Sequence, residues 1–172
     1  AQRNLGSYEF RGGLRYSHAA VLASFVDTTW MTLPDAEVNQ QKGAWTASGS
    51  WTGPISPHWH DVTSVASGFR HPNVDDLGKV REKGGFVLVP NADLKPEYLY
   101  TTEQAATWML RPGSDVLVVQ GAAFASLWHD AIVQANATLA GDTILVVDGD
   151  TARIQMNQNM DRAWVRGARL EA

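Results

Sequence analysis

The alternation of apolar and polar residues is clearest near the C-terminal end of the chain. Two β-rich runs, Thr143–Val147 and Thr151–Met156, flank Asp148-Gly149-Asp150. An Asp-Gly pair between such runs predicts a tight hairpin, because glycine accepts the positive φ that the turn requires. The first run is apolar on both faces and the second has one polar face. We therefore expect an interior strand followed by a strand nearer an edge of the sheet.

A helical pattern covers residues 122–140. Its apolar residues recur at spacings of three and four, and Gly141 would end the helix. They are Phe124, Leu127, Trp128, Ala131, Ala135 and Leu139. This pattern predicts one main helix that buries Phe124, Leu127, Trp128 and Leu139 against a sheet. A second, short helix is predicted to begin at Thr102-Glu103.

The remaining apolar runs predict further strands. Gly6–Tyr16 alternates before it breaks at two glycines, Gly85–Val89 and Asp115–Val119 are apolar throughout, and Ala163–Leu170 alternates again. Residues 39–84 show little regular patterning and are predicted to be rich in loops or arms, whereas residues 85–170 would form the regular core. The predicted fold is a single α+β domain over residues 1–172. It would be β-rich, with a mostly antiparallel sheet (a sandwich or small barrel) and one main helix packed on it.

Composition excludes several classes of protein. The formal net charge is −4 and basic residues are scattered, which argues against nucleic-acid binding. No cysteine is present, which excludes disulfide scaffolds and thiolate metal sites. No apolar run approaches the roughly 20 residues that a membrane-spanning helix needs, so no membrane association is expected. Sequence motifs for binding nucleotides and for nucleophilic catalysis are also missing.

Three histidines are the candidate metal ligands. His58 and His60 are separated by one residue and would point the same way on a strand, and His71 could approach as a third ligand. Histidines in a surface or interface loop explain the same pattern more simply. The sequence therefore predicts no metal and no cofactor, and a small metal-dependent β-barrel enzyme is kept as a minority alternative.

Tryptophan is abundant, with seven residues in the chain. Trp45 and Trp51 are an even number of residues apart and would share one face of a strand. With Trp59 and Phe69 they are the candidate interface residues, since exposed aromatics serve as rigid anchors in protein contacts. Aromatic side chains beside hydroxyl groups could also stack on sugar rings, so a carbohydrate-binding module is a second alternative.

The predicted function is that of a non-enzymatic structural protein. Missing catalytic motifs, scattered charge and many Trp, Gln and Asn are similar to the composition of tailed-phage virion components, such as capsid-decorating, neck or tail proteins. We therefore expect a viral protein located in the virion, with a secreted or periplasmic location as the alternative. Its partners would be further copies of the chain or other structural proteins of one assembly.

Overall fold

The computed structural model describes residues 2–24, 37–111, 116–147 and 149–172. Of these residues, 79% lie in strands and 3% in one short helix. In chain order the elements are β1 (Gln2–Leu5), β2 (Tyr8–Ser24), β3 (Glu37–Ser56), β4 (Trp59–Arg70), α1 (Val74–Gly78), β5 (Arg81–Lys83), β6 (Phe86–Val89), β7 (Glu97–Leu110), β8 (Leu117–Asn136), β9 (Ile144–Val147) and β10 (Asp150–Glu171).

All ten strands belong to one sheet. Their order is β1-β2-β3-β4-β7-β8-β10-β6-β5, and β9 pairs with β10 outside this path. The long strands pair antiparallel with a constant register, as from Glu9↔Thr52 to Ser24↔Glu37 between β2 and β3. A single register irregularity is recorded between β3 and β4, at Pro54/Ser56, whereas β6 pairs with β10 in parallel. Two faces therefore continue across the six longest strands.

The predicted main helix is absent, because residues 122–136 belong to β8. This strand pairs with β7 on one side and β10 on the other, so its backbone groups are bonded between strands. Phe124 and Trp128 are 38% and 39% exposed rather than buried. Apolar residues stand on both faces of β8, and their combined spacing imitates a helical stripe. The α+β prediction was therefore wrong, and the fold is almost entirely β. The short helix expected from Thr102 is likewise part of β7.

Residues 39–84, predicted to be rich in loops, contain regular structure. Nearly all of β3, all of β4, the five-residue α1 and β5 lie there. Gly, Ser and Thr at alternating positions hid the strand pattern, since small residues weaken the contrast between the two faces. Trp45 and Trp51 do share one face of β3, as the sequence predicted.

The hairpin prediction is confirmed by pairing of β9 with β10, from Asp150↔Val147 to Arg153↔Ile144. Gly149 has a φ of +90°, as the tight turn requires, while Asp148 lies outside the described residues. The expected order of interior and edge strands was reversed. β10 pairs with β8, β6 and β9, whereas β9 pairs with β10 alone among the described strands.

Two small clusters of buried side chains lie at one end of the sheet. Val87, Val89, Ala152 and Ile154 pack between β6 and β10. The second cluster joins Val38 of β3 to Leu77 of α1 and Leu94. Both clusters involve residues 71–96, the segment that connects β4 to β7, which is called the inserted segment below. It therefore folds back on the sheet.

Candidate functional site: two unlike faces of one sheet

The strand register divides the side chains between an aromatic face and a polar face. Successive residues of a strand point to opposite faces, so cross-strand partners share a face. The aromatic face is defined by Tyr8, Phe10, Leu14 and Tyr16 of β2, Trp45 and Trp51 of β3, Trp59, Val65 and Phe69 of β4, Tyr98, Tyr100 and Trp108 of β7, Leu127 of β8, and Trp164 and Leu170 of β10. Most of these large side chains are exposed.

Charged residues concentrate on the polar face of the same strands. They include Glu9, Arg11, Arg15, Lys42, Arg70, Glu97, Glu103, Asp161, Arg169 and Glu171. On the aromatic face the same strands carry fewer charged residues, namely Glu37, Asp61, Asp150, Arg162 and Arg166. The polar face also exposes a few large apolar side chains, such as Phe124 and Trp128, whereas the aromatic face exposes far more apolar surface than an ordinary water-facing sheet.

Aromatic rings of this face gather into two bands. A first aromatic band contains Tyr8, Phe10, Trp51, Trp59 and Trp108. Its rings touch, with centroids of Tyr8 and Trp51 5.6 Å apart and those of Trp59 and Trp108 6.1 Å apart.

A second aromatic band contains Tyr16, Trp45, Phe69, Tyr98 and Tyr100. The centroids of Tyr16 and Trp45 are 4.9 Å apart, and those of Phe69 and Tyr98 are 6.2 Å apart. Trp59 and Phe69 are ten residues apart on β4, which corresponds to about 33 Å along a strand. On a strand tilted by about 40°, these two residues would then differ by about 25 Å in height.

Glycines let some rings of the two bands lie flat on the sheet. A Cβ added at Gly43 would lie 2.4 Å from the Tyr16 hydroxyl oxygen and 3.0 Å from two of its ring carbons. The Tyr8 ring lies over Gly53 in the same way, with the nearest carbon 2.0 Å from such a Cβ. The absence of a side chain at these two positions thus creates the space that each ring occupies.

The two ends of the sheet have connections of different lengths. Beside the first band, Gly6-Ser7 joins β1 to β2 and Pro57-His58 joins β3 to β4. At the opposite end the connections are long. Residues 25–36 join β2 to β3, the inserted segment joins β4 to β7, and residues 137–149 lead from β8 through β9 to β10.

The inserted segment covers the polar face at this second end. Leu77 and Leu94 are fully buried, beside Val38. The Gln40 side chain, also buried, donates through Nε2 to the carbonyl oxygens of Ala92 (3.1 Å) and Leu94 (2.7 Å). Apolar packing and buried hydrogen bonds together hold the segment in place.

Ion pairs fasten the same segment to the strands. Arg70 Nε lies 2.5 Å from Glu97 Oε1, and Arg70 Nη1 lies 2.5 Å from Asp76 Oδ2. The second oxygen of Glu97 accepts a hydrogen bond from the Ile132 backbone amide at 2.8 Å. A single arginine therefore links the end of β4, the start of β7 and helix α1.

One polar cluster interrupts the aromatic face next to the first band. Asp61 is 9% exposed. Its carboxylate accepts a hydrogen bond from Gln104 Nε2. Thr63 Oγ1, which has one hydrogen to donate, lies 2.6 Å from Gln104 Oε1 and 3.3 Å from Asp61 Oδ2. No ion pair joins Asp61 to a cation within the part of the chain that the structure describes.

The three candidate metal ligands lie in different surroundings. His58 is in the turn between β3 and β4, and His60 is an exposed residue of the polar face. His71 follows β4 and packs edge-on against Phe69, with centroids 4.8 Å apart. Burial and the nearby His18 both lower the pKa of His71. Among the described residues no group of three or more His, Cys, Asp or Glu could hold a metal ion.

The four candidate interface residues do come together. Trp45, Trp51, Trp59 and Phe69 all stand on the aromatic face of β3 and β4. Sequence reasoning missed the partners of these residues on other strands, such as Tyr8, Tyr16 and Trp108. The alternation of Tyr8-Glu9-Phe10-Arg11 correctly indicated strand β2. On β7, however, the residues between Tyr100 and Trp108 were predicted to form a helix, so the common face of these two aromatics was not recognised.

No described helix has the length and apolarity needed to cross a membrane. No family model and no curated protein matches the sequence.

Several solved structures resemble the fold. The chain superposes on the Serratia marcescens hemophore receptor HasR, a double mutant solved with its hemophore HasA and heme, with a TM-score of 0.69 and 16% identity over 97% of this chain. It is similar to the copper transporter OprC with a TM-score of 0.63 and 16% identity over 95% of the chain. For the Pseudomonas aeruginosa siderophore receptor PirA the TM-score is 0.59, with 16% identity over 95% of the chain.

These likenesses establish the fold, and they cover only part of the neighbours. The chain spans 30% of HasR, 24% of OprC and 30% of PirA. The neighbours are receptors and a transporter rather than enzymes, in agreement with the prediction that the chain is not an enzyme. This chain therefore has the fold of part of these neighbours.

Proposed function

We propose that the chain forms part of the wall of a β-barrel receptor in a bacterial outer membrane. The proposal rests on the contrast between the two faces of the long antiparallel strands. In a membrane barrel each strand alternates between lipid-facing and interior-facing residues, and rings of aromatic residues mark the two interfaces. The aromatic face would contact lipid, and the polar face would line the interior.

The spacing of the two aromatic bands supports this assignment. A transmembrane barrel carries an apolar belt about 25 Å tall between its aromatic girdles, which matches the height between Trp59 and Phe69. The strands are also long enough, since a tilted strand crosses the bilayer with about 9–11 residues and β4 has 12.

Connection lengths suggest the orientation. Outer-membrane barrels have short turns on the periplasmic side and longer loops outside. The turns at Gly6-Ser7 and Pro57-His58 would then face the periplasm, and the inserted segment would lie at the extracellular mouth. This places the first aromatic band in the periplasmic leaflet.

The substrate class follows from the neighbours by analogy. HasR was solved with heme, OprC is a copper transporter and PirA is a siderophore receptor. We infer that the protein carrying this chain takes up a metal ion or a small metal-carrying molecule. This proposal replaces the expectation of a virion component without membrane contact, which stays an untested prediction.

Cysteine labelling tests the wall assignment. The chain has no cysteine, so single substitutions Ala47→Cys and Ser48→Cys report adjacent positions on opposite faces of β3. With a nitroxide label in lipid vesicles, we expect Ala47→Cys to be accessible to oxygen and Ser48→Cys to a water-soluble nickel chelate. Equal access of the nickel chelate to both positions would contradict the proposal. Uptake of heme, copper and ferric siderophores by cells with and without the protein tests the substrate class.

A further inference from the structure

We propose that Asp61, Gln104, Trp59 and Trp108 bind the ammonium headgroup of a phospholipid whose acyl chain lies on the neighbouring apolar surface. This inference rests on the proposed function, because it requires the aromatic face to contact lipid. It assigns a ligand to a site where a buried carboxylate stands on a face dominated by aromatic and aliphatic side chains.

The carboxylate of Asp61 has no cationic partner among the described side chains. Gln104 occupies one of its acceptor positions and Thr63 at most one more, whereas a carboxylate offers about four. An unpaired charge facing lipid is costly, so intramembrane carboxylates normally pair with a cation. Hydrogen bonds from a neutral amide and, at most, one hydroxyl orient the group without neutralising it. The missing cation must then come from outside the described strands.

The two tryptophans make this place suitable for an ammonium group. Trp59 pairs with Trp108 two residues along the strands from Asp61↔Ala106, on the same face. Their rings are stacked at an interplanar angle of 28°. An ammonium between the rings and the carboxylate would gain both a cation–π contact and an ion pair. Ala106 and Gly121 are small neighbours across the sheet, which lets a headgroup approach from that side.

An apolar depression continues from the polar cluster toward the second aromatic band. It has a volume of about 700 Å³. Its lining includes Gly49, Val65, Thr102, Ala125, Leu127 and Trp164. Val65 and Thr102 are each two residues from Thr63 and Gln104 on the same face, so the depression begins where the polar cluster ends. The polar cluster and the apolar depression thus follow each other in the same order as the headgroup and the acyl chain of a phospholipid.

This arrangement selects the headgroup by charge. A phosphatidylethanolamine headgroup carries a primary ammonium that can donate hydrogen bonds to Asp61, whereas phosphatidylglycerol offers only hydroxyls and a phosphate. Both lipids carry a phosphate, which the negative charge of Asp61 and the negative faces of the tryptophan rings would repel, but only phosphatidylethanolamine has an ammonium group that offsets this repulsion. We therefore expect preferential retention of phosphatidylethanolamine.

Native mass spectrometry of the full-length protein in detergent tests the site, with phosphatidylethanolamine and phosphatidylglycerol added in equal amounts. We expect wild-type protein to retain phosphatidylethanolamine about threefold or more over phosphatidylglycerol, as for a partly desolvated cation–π and ion-pair contact. Asp61→Asn should bring the ratio near one, since it keeps the side-chain shape and removes the charge. The matched control is Asp161→Asn on the polar face, which should keep the wild-type ratio.

A second variant covers the case in which Asp61→Asn fails to fold. Trp108→Leu keeps the carboxylate and removes one ring, so it should reduce the preference without abolishing it. Equal retention of the two lipids by wild-type protein, or an unchanged ratio in a folded Asp61→Asn or Trp108→Leu, would overturn the lipid site. If the alternation between Ala47→Cys and Ser48→Cys is observed, only the lipid site fails, whereas loss of that alternation removes the wall assignment as well.

Discussion

The polar face and the aromatic face belong to the same strands but are covered in different ways. At one end of the polar face, the chain covers itself with the inserted segment, whose Leu77 and Leu94 are fully buried. On the aromatic face, side chains such as Trp45 and Leu14 remain 60% and 71% exposed. Strands of one sheet therefore present two faces that the chain covers to different extents. Where the chain supplies the cover, stability follows the rules of a water-soluble core; elsewhere it depends on the surroundings.

The largest expected change in the free energy of unfolding concerns the inserted segment, which covers one end of the polar face. Leu77→Ala should lower the free energy of unfolding by about 2–5 kcal/mol, because it leaves a cavity between α1 and the sheet. Val74→Ala is the control on the same helix, where the side chain is 55% exposed, and its effect should be small. Urea unfolding in lipid vesicles measures both changes. Equal effects of the two substitutions would show that the inserted segment does not pack as described.

A charge placed on each face sharpens the comparison. Val65→Arg would put a guanidinium on the aromatic face between the two bands and should cost about 2–4 kcal/mol in a bilayer. Ala66→Arg places the same group on the polar face at the next residue, with an expected change within about 0.5 kcal/mol. The two free energies of unfolding are compared in vesicles. A penalty for Ala66→Arg as large as that for Val65→Arg would end the distinction between the faces.

The smallest effect is a dependence on pH at the border of the inserted segment. Burial lowers the pKa of His71 from its ordinary value of 6.5, and both ring nitrogens are buried without a hydrogen-bond partner among the described residues. The unfolded chain therefore binds a proton more readily than the folded chain once the pH falls below about 6.5. Stability should decrease as the pH falls through this range and level off below the folded-state pKa.

Substitution of His71 isolates that contribution. His71→Gln should reduce the loss of unfolding free energy between pH 7.5 and pH 5. At pH 7.5 the protonation of His71 makes no contribution, so this pH serves as the reference. Unfolding free energies at the two pH values give the difference. If the wild type and His71→Gln lose the same amount, the histidine does not carry this part of the pH dependence.

The same contrast explains what the sequence could and could not predict. The β9–β10 hairpin was predictable because its turn residues act locally, and Gly149 needs no distant partner to adopt a positive φ. Strand β8 was mistaken for a helix because Leu127 and Trp128 are both large and apolar although they point to opposite faces. Patterns based on a single water-excluding face fail on a sheet that places apolar residues on both faces.

The candidate site was predictable only in part. Trp45 and Trp51 reveal their common face through their even spacing, and both belong to the bands. Asp61 stood beside the predicted histidines, yet nothing local placed it next to Gln104, which is 43 residues away. That proximity comes from the register between β4 and β7, which depends on long-range pairing that single-sequence patterns do not contain.

The ring of Tyr16 lying flat on Gly43 has an evolutionary consequence. Any side chain at Gly43 would displace the ring, and a smaller residue at position 16 would leave the bare backbone of Gly43 uncovered. Neither change is neutral alone, so the two positions should be inherited together. Among descendants of this sequence, the tyrosine and the glycine should be lost in the same lineages, and the same holds for Tyr8 with Gly53.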